Sequence, residues 1–254
     1  MDEPLHVTLI ANAGLLLRYR GTTLMLDGIY GREGHPFSNL TPEVWGQMLT
    51  GGGPFDRVDY LLFTHHHPDH FSPEMTLEYL KARPVKGIFK PAAEGESRLD
   101  DYILDRRIPC VALSSQTDHA VYRIEPHISV RAFATRHLDR KYQDVRHFCY
   151  LLSFDEKHVL FTVDTDYMSE TFSAIREVPL RAAFVNPLFF HVLRDPRFFH
   201  GALKAETICV YHIPFRNDDP MNMRRMLTRD LERRWSEEAL EVIPLSEPFQ
   251  EITL

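Results

Sequence analysis

The chain has 254 residues, 44% of them hydrophobic and 26% charged, which is enough apolar material for a folded core and far from the composition of disorder. A formal net charge of −7 would repel a polyanion unless basic residues were gathered on one face, and this argues against a nucleic acid partner. No stretch approaches the ~20 apolar residues of a membrane span, and MDEPLHVTL carries acids where a secretory signal would carry bases, so a cytoplasmic protein without membrane contact is expected.

In chain order, HVTLIANAGLLLRYRGTTLMLD reads as consecutive strands of a hairpin or meander, with turn signals at Asn12-Ala13-Gly14 and Arg20-Gly21. A segment rich in Gly, Pro and Asn follows, suited to the rim of a site, with a short helical pattern from Pro42 to Leu49. DYLLFT is a continuous apolar run, as expected for a strand covered on both faces. Ser72-Pro73-Glu74 offers an N-cap, a proline at the first helical position and an acid in the first turn, predicting a helix to about Lys81. Further strands are expected at Val85 to Phe89, Ala120 to Ile124, Ile128 to Thr135, His147 to Phe154, His158 to Val163, Ala182 to Val185, Thr207 to Tyr211 and Glu241 to Pro244. Helices are expected at Glu96 to Asp105, Met168 to Glu177 and Met221 to Trp235.

Strands alternate with helices, so the class is α/β, and a chain of this length is expected to form one domain over residues 1–254. A faint echo links LLLRYRGTTLMLD with YLLSFDEKHVLFTVD: each runs strand, polar turn, strand and terminal aspartate, as two similar halves would. Cys110, Cys149 and Cys209 lack C-x-x-C spacing and are read as buried thiols.

FTHHHPDHF, residues 63 to 71, packs four histidines and an aspartate into nine positions. Within it His65, His67, Asp69 and His70 form H-x-H-x-D-H. Imidazole and carboxylate are ligands that zinc, manganese and iron accept, and a loop leaving a strand can aim alternate side chains at one point. His65 and His67 could share one ion, while Asp69 and His70 follow at a different phase and point to a second. His66 falls between ligand positions and reads as a bystander or as a donor behind the ligands. The competing reading is a solvated histidine run, but a strand end followed directly by a helix cap is where ligand sites gather in open α/β sheets.

Two ions need more ligands than one loop supplies. His137, Asp164 and His212 each close an apolar strand and are the downstream candidates. Asp27 closes TLMLD and could orient a ligand histidine from behind. His191, in NPLFFHVL, rivals His212 from a loop-like region and is otherwise a candidate substrate contact. His6, His35, His119, His127, His147, His158 and His200 have no spacing to recommend them.

On these residues the chain resembles the metallo-β-lactamase fold superfamily over nearly its whole length: H-x-H-x-D-H after a hairpin ending in Asp27, then His137, Asp164 in FTVDTDY and His212 in VYHIPF. The resemblance implies a four-layer αββα sandwich of two mixed sheets flanked by helices, with a binuclear site at one sheet edge. It implies His65, His67 and His137 on one ion, Asp69, His70 and His212 on the other, and Asp164 bridging. Zinc is the expected metal, manganese or iron the alternatives. The family commonly has glycine before the bridging acid, where this chain has Val163, and His66 makes an unusual triple histidine.

The implied activity is metal-dependent hydrolysis of a small ester, lactone or phosphorylated metabolite by a metal-bound hydroxide, the pKa of water being lowered to about 7, with Asp69 as catalytic acid–base. The alternatives are a phosphodiesterase or nuclease of the same fold, an iron-dependent oxidoreductase, and a non-catalytic metal-binding protein. Tyr30, Arg32, His35, Phe37, Trp45, Phe189, Phe190, Arg216 and Asn217 are candidate pocket residues. Arg224, Arg225, Arg229, Arg233 and Arg234 either contact phosphate or form a solvated helix face.

Overall fold

The turn Arg20-Gly21 shows how local sequence sets the first sheet. Both residues adopt positive φ, 47° and 72°, as a two-residue turn matched to the twist of a hairpin requires. The turn joins β2 (Gly14–Tyr19) to β3 (Thr22–Leu26), and a second tight turn at Asn12, φ 51°, joins β1 (His6–Ala11) to β2. Gly14 sits where a Cβ would come within 3.0 Å of the Gly28 Cα and 3.2 Å of the Asp27 carbonyl oxygen, so the chain that follows β3 packs against this turn.

The structure, a computed structural model, describes residues 3–31, 33–92, 95, 97–166, 172–173, 175–192, 204–234 and 241–254. They form two compact units, Met1–Thr117 with Glu247–Leu254, and Asp118–Ser246.

In the first unit β4 (Tyr60–Leu62), β5 (Gly87–Pro91) and β6 (Cys110–Leu113) continue the sheet beyond β3 as parallel strands. Parallel neighbours need crossovers, and these contain α1 (Pro42–Thr50), α2 (Pro73–Ala82) and α3 (Arg98–Asp105). With β14 (Glu251–Thr253) on the other edge, the order is β14-β1-β2-β3-β4-β5-β6. All three helices begin as short polar residues dictate. Thr41, Ser72 and Ser97 accept the backbone N–H of Val44, Met75 and Asp100 at 3.2–3.3 Å.

The second unit contains β7 (Val121–Glu125), β8 (Ile128–Thr135), β9 (His147–Phe154), β10 (Lys157–Val163), β11 (Leu180–Val185), α4 (Pro187–Val192), β12 (Ala205–Val210), α5 (Met223–Arg234) and β13 (Glu241–Pro244). Its order is β13-β12-β11-β10-β9-β8-β7. The neighbours from β7 to β10 are antiparallel and those from β10 to β13 parallel. This repeats the first unit, where β14 to β3 are antiparallel and β3 to β6 parallel. The hairpins heard as an echo are β2-β3 and β9-β10, in equivalent places of the two sheets. The central strands are buried along nearly their whole length, and Phe133, Leu151, Leu160 and Ile208 pack with Phe189 of α4 and Leu227 of α5.

Several expectations need correction. NPLFFHVL is not a loop but α4: Asn186 Oδ1 accepts the Phe189 N–H at 2.7 Å and Pro187 occupies the first turn. The missed signal was this cap, masked because an apolar stretch of helix shows no polar face. The edge strands β6 and β14 were not expected, since half-exposed edges lack an apolar run. Cys110, on edge strand β6, is exposed, while Cys149 and Cys209 are buried. Arg32, His200, Trp235 and residues 168–171 and 174 of the helix expected at 168–177 lie outside the described residues. Among the described residues no helix is long and apolar enough to cross a membrane.

Two outcomes follow from this packing. Ser72→Ala should lower stability by about 1 kcal/mol, read as a shifted urea midpoint with an unchanged slope. A thiol reagent at pH 8 should modify Cys110 alone in the native protein and all three cysteines after unfolding: burial pushes all three thiols up, Cys149 to about 12, but only Cys110 is exposed to the reagent.

Candidate metal centre

In the first unit the histidine motif leaves the end of β4 and is shaped by one buried acid. Asp27, fully buried past the end of β3, accepts the Thr64 N–H at 2.9 Å, the Thr64 hydroxyl at 2.6 Å and His70 Nδ1–H at 2.9 Å. Burial pushes its carboxyl above the usual carboxylate range, and the bonds from His70 and Thr64 oppose that rise. Since the Thr64 hydroxyl proton goes to Asp27, its oxygen is left to accept from His65 Nδ1 at 2.9 Å. The consequence is chemical: His65 and His70 both carry their proton on Nδ1 and present the Nε2 lone pair.

Those lone pairs meet other ligand-type atoms. His65 Nε2 lies 3.0 Å from His67 Nδ1, and His70 Nε2 lies 3.2 Å from Asp69 Oδ2. The motif thus offers two pairs, divided as the spacing suggests. The loop is further pinned where Asn12 Nδ2 donates to the Asp69 carbonyl at 2.7 Å and the Gly31 N–H to the Pro68 carbonyl at 2.7 Å. His66 turns elsewhere, its Nε2 3.2 Å from the Ala92 carbonyl and its ring 5.5 Å from that of Phe71.

In the second unit Asp164 follows β10 and meets a different histidine with each oxygen. Its Oδ2 lies 3.7 Å from His137 Nε2 and its Oδ1 3.6 Å from His212 Nε2. Both separations exceed a hydrogen bond. They are near the roughly 3.3 Å expected between two ligands held ~2.0–2.1 Å from one tetrahedral ion. Asn186 Nδ2 donates to Asp164 Oδ1 at 3.2 Å and to the Val163 carbonyl at 2.8 Å, and the Leu138 N–H donates to the Asp164 carbonyl at 2.7 Å. His191 stands apart from this set: its Nδ1 is 2.7 Å from Oδ2 of the buried Asp230 on α5.

Three residues at these strand ends sit in the left-handed region: Asp27 at φ 46°, Val163 at 51° and His212 at 60°. For a β-branched residue this is a true outlier, costing on the order of 1–3 kcal/mol. Val163 therefore holds the backbone shape that glycine would adopt without strain. In the sequence Asn12 signalled only a turn, His147 had no spacing to recommend it, and Thr64 and Asn186 had no assigned role. Of the last two only Asn186 carried a local signal, as a cap before Pro187.

No protein-family profile matches the chain, and no curated protein sequence does. Solved structures do. The metallo-β-lactamase fold protein YhfI from Bacillus subtilis superposes with a TM-score of 0.65 at 14% identity, covering 100% of both chains. The isothiocyanate hydrolase from Delia radicum gut bacteria gives 0.62 at 14%, covering 98% of each. CmlA, a diiron β-hydroxylase from Streptomyces venezuelae, gives 0.62 at 18%, covering 100% of this chain and 54% of CmlA. The chain has the metallo-β-lactamase fold. At these identities the likeness is one of fold, and the chemistry has to be argued from the residues themselves.

Tested against a divalent ion, the donor set fits: imidazole nitrogens and carboxylate oxygens suit zinc, manganese or iron, and in His65 and His70 the tautomer is already the one a ligand needs. His137 fits less well as it stands, because its Nδ1 accepts the Asp139 N–H at 3.0 Å and the neutral ring then carries its proton on Nε2. Ligation through Nε2 requires that bond to be released. Within this fold Asp27 supports the loop with or without metal, so Asp27→Ala should destabilise the metal-free protein by about 3–5 kcal/mol in urea unfolding, through the unmatched donors it leaves.

Proposed function

We propose that this protein is a metal-dependent hydrolase of small molecules, with His65, His67 and His137 holding one ion, Asp69, His70 and His212 a second, and Asp164 bridging them. The observation that carries the reading is Asp164, whose two oxygens face two different imidazoles at distances too long for hydrogen bonds. The division of the H-x-H-x-D-H motif into two pairs supports it from the other unit.

Zinc, with manganese or iron as alternatives, would supply the Lewis acidity that makes water a nucleophile near neutral pH and polarises the scissile bond. The chain's own part is positional. Asp27 and Thr64 keep Nε2 of His70 and His65 free of protons, and Asn12 holds the backbone at Asp69. Asp69 is the residue we assign to accept a proton from the attacking water. A small ester, lactone or phosphorylated metabolite suits the site better than a polyanion, given the net charge of −7. Arg224, one of the five arginines considered for phosphate contact, is already tied to the carbonyls of Pro214 and Ser246 at 3.2 and 2.9 Å. The thiols of all three cysteines are free, which suits a cytoplasmic setting.

A second reading has one observation in its favour, the likeness to a diiron β-hydroxylase. It predicts iron in the purified protein and oxygen consumption in place of hydrolysis.

Protein purified without added metal should contain two divalent ions per chain by elemental analysis and should turn over at least one member of a panel of esters, lactones, thioesters and phosphodiesters. Asp164→Ala should lower both metal affinity and turnover by at least about 100-fold, beyond the 10–100-fold typical of groups behind the ligands. Full metal content and activity in that variant would sink the reading.

A further inference from the structure

We infer that His147 is a positioning residue for Asp164, the group that fixes the direction in which its carboxylate leaves β10. The inference rests on the reading of Asp164 as a metal-bridging acid.

His147 opens β9 and is buried to 1% exposure. An imidazole at such a place is costly unless both nitrogens are hydrogen-bonded. Here they are. The Asp164 N–H points at His147 Nε2, 3.2 Å away, and Thr135 Oγ1 lies 2.6 Å from Nδ1. A backbone N–H can only donate, so Nε2 accepts; the neutral ring then keeps its proton on Nδ1 and donates to Thr135. The tautomer follows from the geometry.

The register explains why an imidazole is needed. Pairing of β10 with β9 runs from Lys157↔Phe154 to Phe161↔Tyr150 and there ends. Continued, it would set Asp164 opposite His147. Val163 turns into the left-handed region first, and the Asp164 N–H points at the ring of His147. The His147 side chain supplies an acceptor for it. Thr135 is paired directly with His147 at the end of β8, two residues before His137, and the rings of His137 and His147 lie 6.0 Å apart. One ring therefore ties the ends of β8 and β10, which carry two of the expected ligands, into a single arrangement. Asn186 holds the same residue through Oδ1. His147 thus fixes the backbone at Asp164 while Asn186 restrains its carboxylate.

The test uses metal-free full-length protein titrated with cobalt(II), read by affinity and by the visible absorption of the bound ion. His147→Phe keeps the ring volume and removes both polar atoms; it should lose roughly 10–100-fold in affinity and alter the spectrum. His147→Gln can return an acceptor to the Asp164 N–H and should recover most of the affinity. Thr135→Val, a milder change, should show a smaller loss of the same kind, and serves if His147→Phe does not fold. Recovery by Gln separates positioning from a merely structural role, which would track stability in urea instead. Parent-like binding by His147→Phe or Thr135→Val, or equal losses in Phe and Gln variants, overturns the inference while leaving the metal site in place. A parent protein that binds no cobalt, or an Asp164→Ala variant that binds it normally, overturns the underlying reading as well.

Discussion

A carboxylate without access to water organises the first unit. Desolvating an acid costs several kcal/mol, and only charge-assisted hydrogen bonds of good geometry offset that. Asp27 finds its donors in Thr64 and His70, which flank the rest of the histidine motif. The dependence runs both ways. The acid is tolerated because the loop supplies donors, and the loop takes its shape because those donors have to reach one buried point. The tautomers of His65 and His70 are consequences of this arrangement.

The second unit solves a related problem with different parts. Its sheet repeats the sequence of antiparallel and parallel neighbours, and Asp164 stands past β10 as Asp27 stands past β3. A break into positive φ marks both places, at Asp27 itself and at Val163 just before Asp164. Yet Asp27 turns its oxygens to backbone, hydroxyl and imidazole donors, whereas Asp164 keeps one oxygen bonded to Asn186 and presents both towards histidines at 3.6–3.7 Å. The same placement in the plan serves a supporting acid in one unit and an outward-facing acid in the other. Strain at Val163 is what aims the second, and the hydrogen bonds of Asn186 and His147 hold that aim.

Much of this was legible locally. Ser72-Pro73-Glu74 announced α2 because a cap, a fixed φ and a favourable charge act within one turn. β8, β9 and β13 began and ended as expected, their apolar runs bounded by turn residues. The nine-residue motif declared its chemistry through residue type and spacing alone. Where the chain's pattern was weak, reading failed: α4 buries an apolar helix with no polar face, and β6 is a half-exposed edge.

Residue types and short-range periodicity thus determined the α/β class, the elements and the ligand-type residues at strand ends, since each of these is set by interactions within a few residues. What tertiary structure decided were the roles that depend on register between strands distant in the chain. His147 had no local pattern to mark it, and became the acceptor for Asp164 only because β9 and β10 pair as they do. His212 was favoured over His191 only for its clearer strand, and it is the fold that set one beside Asp164 and the other beside Asp230. A hydrogen bond needs its partner within about 3 Å, and no spacing along a sequence carries that information.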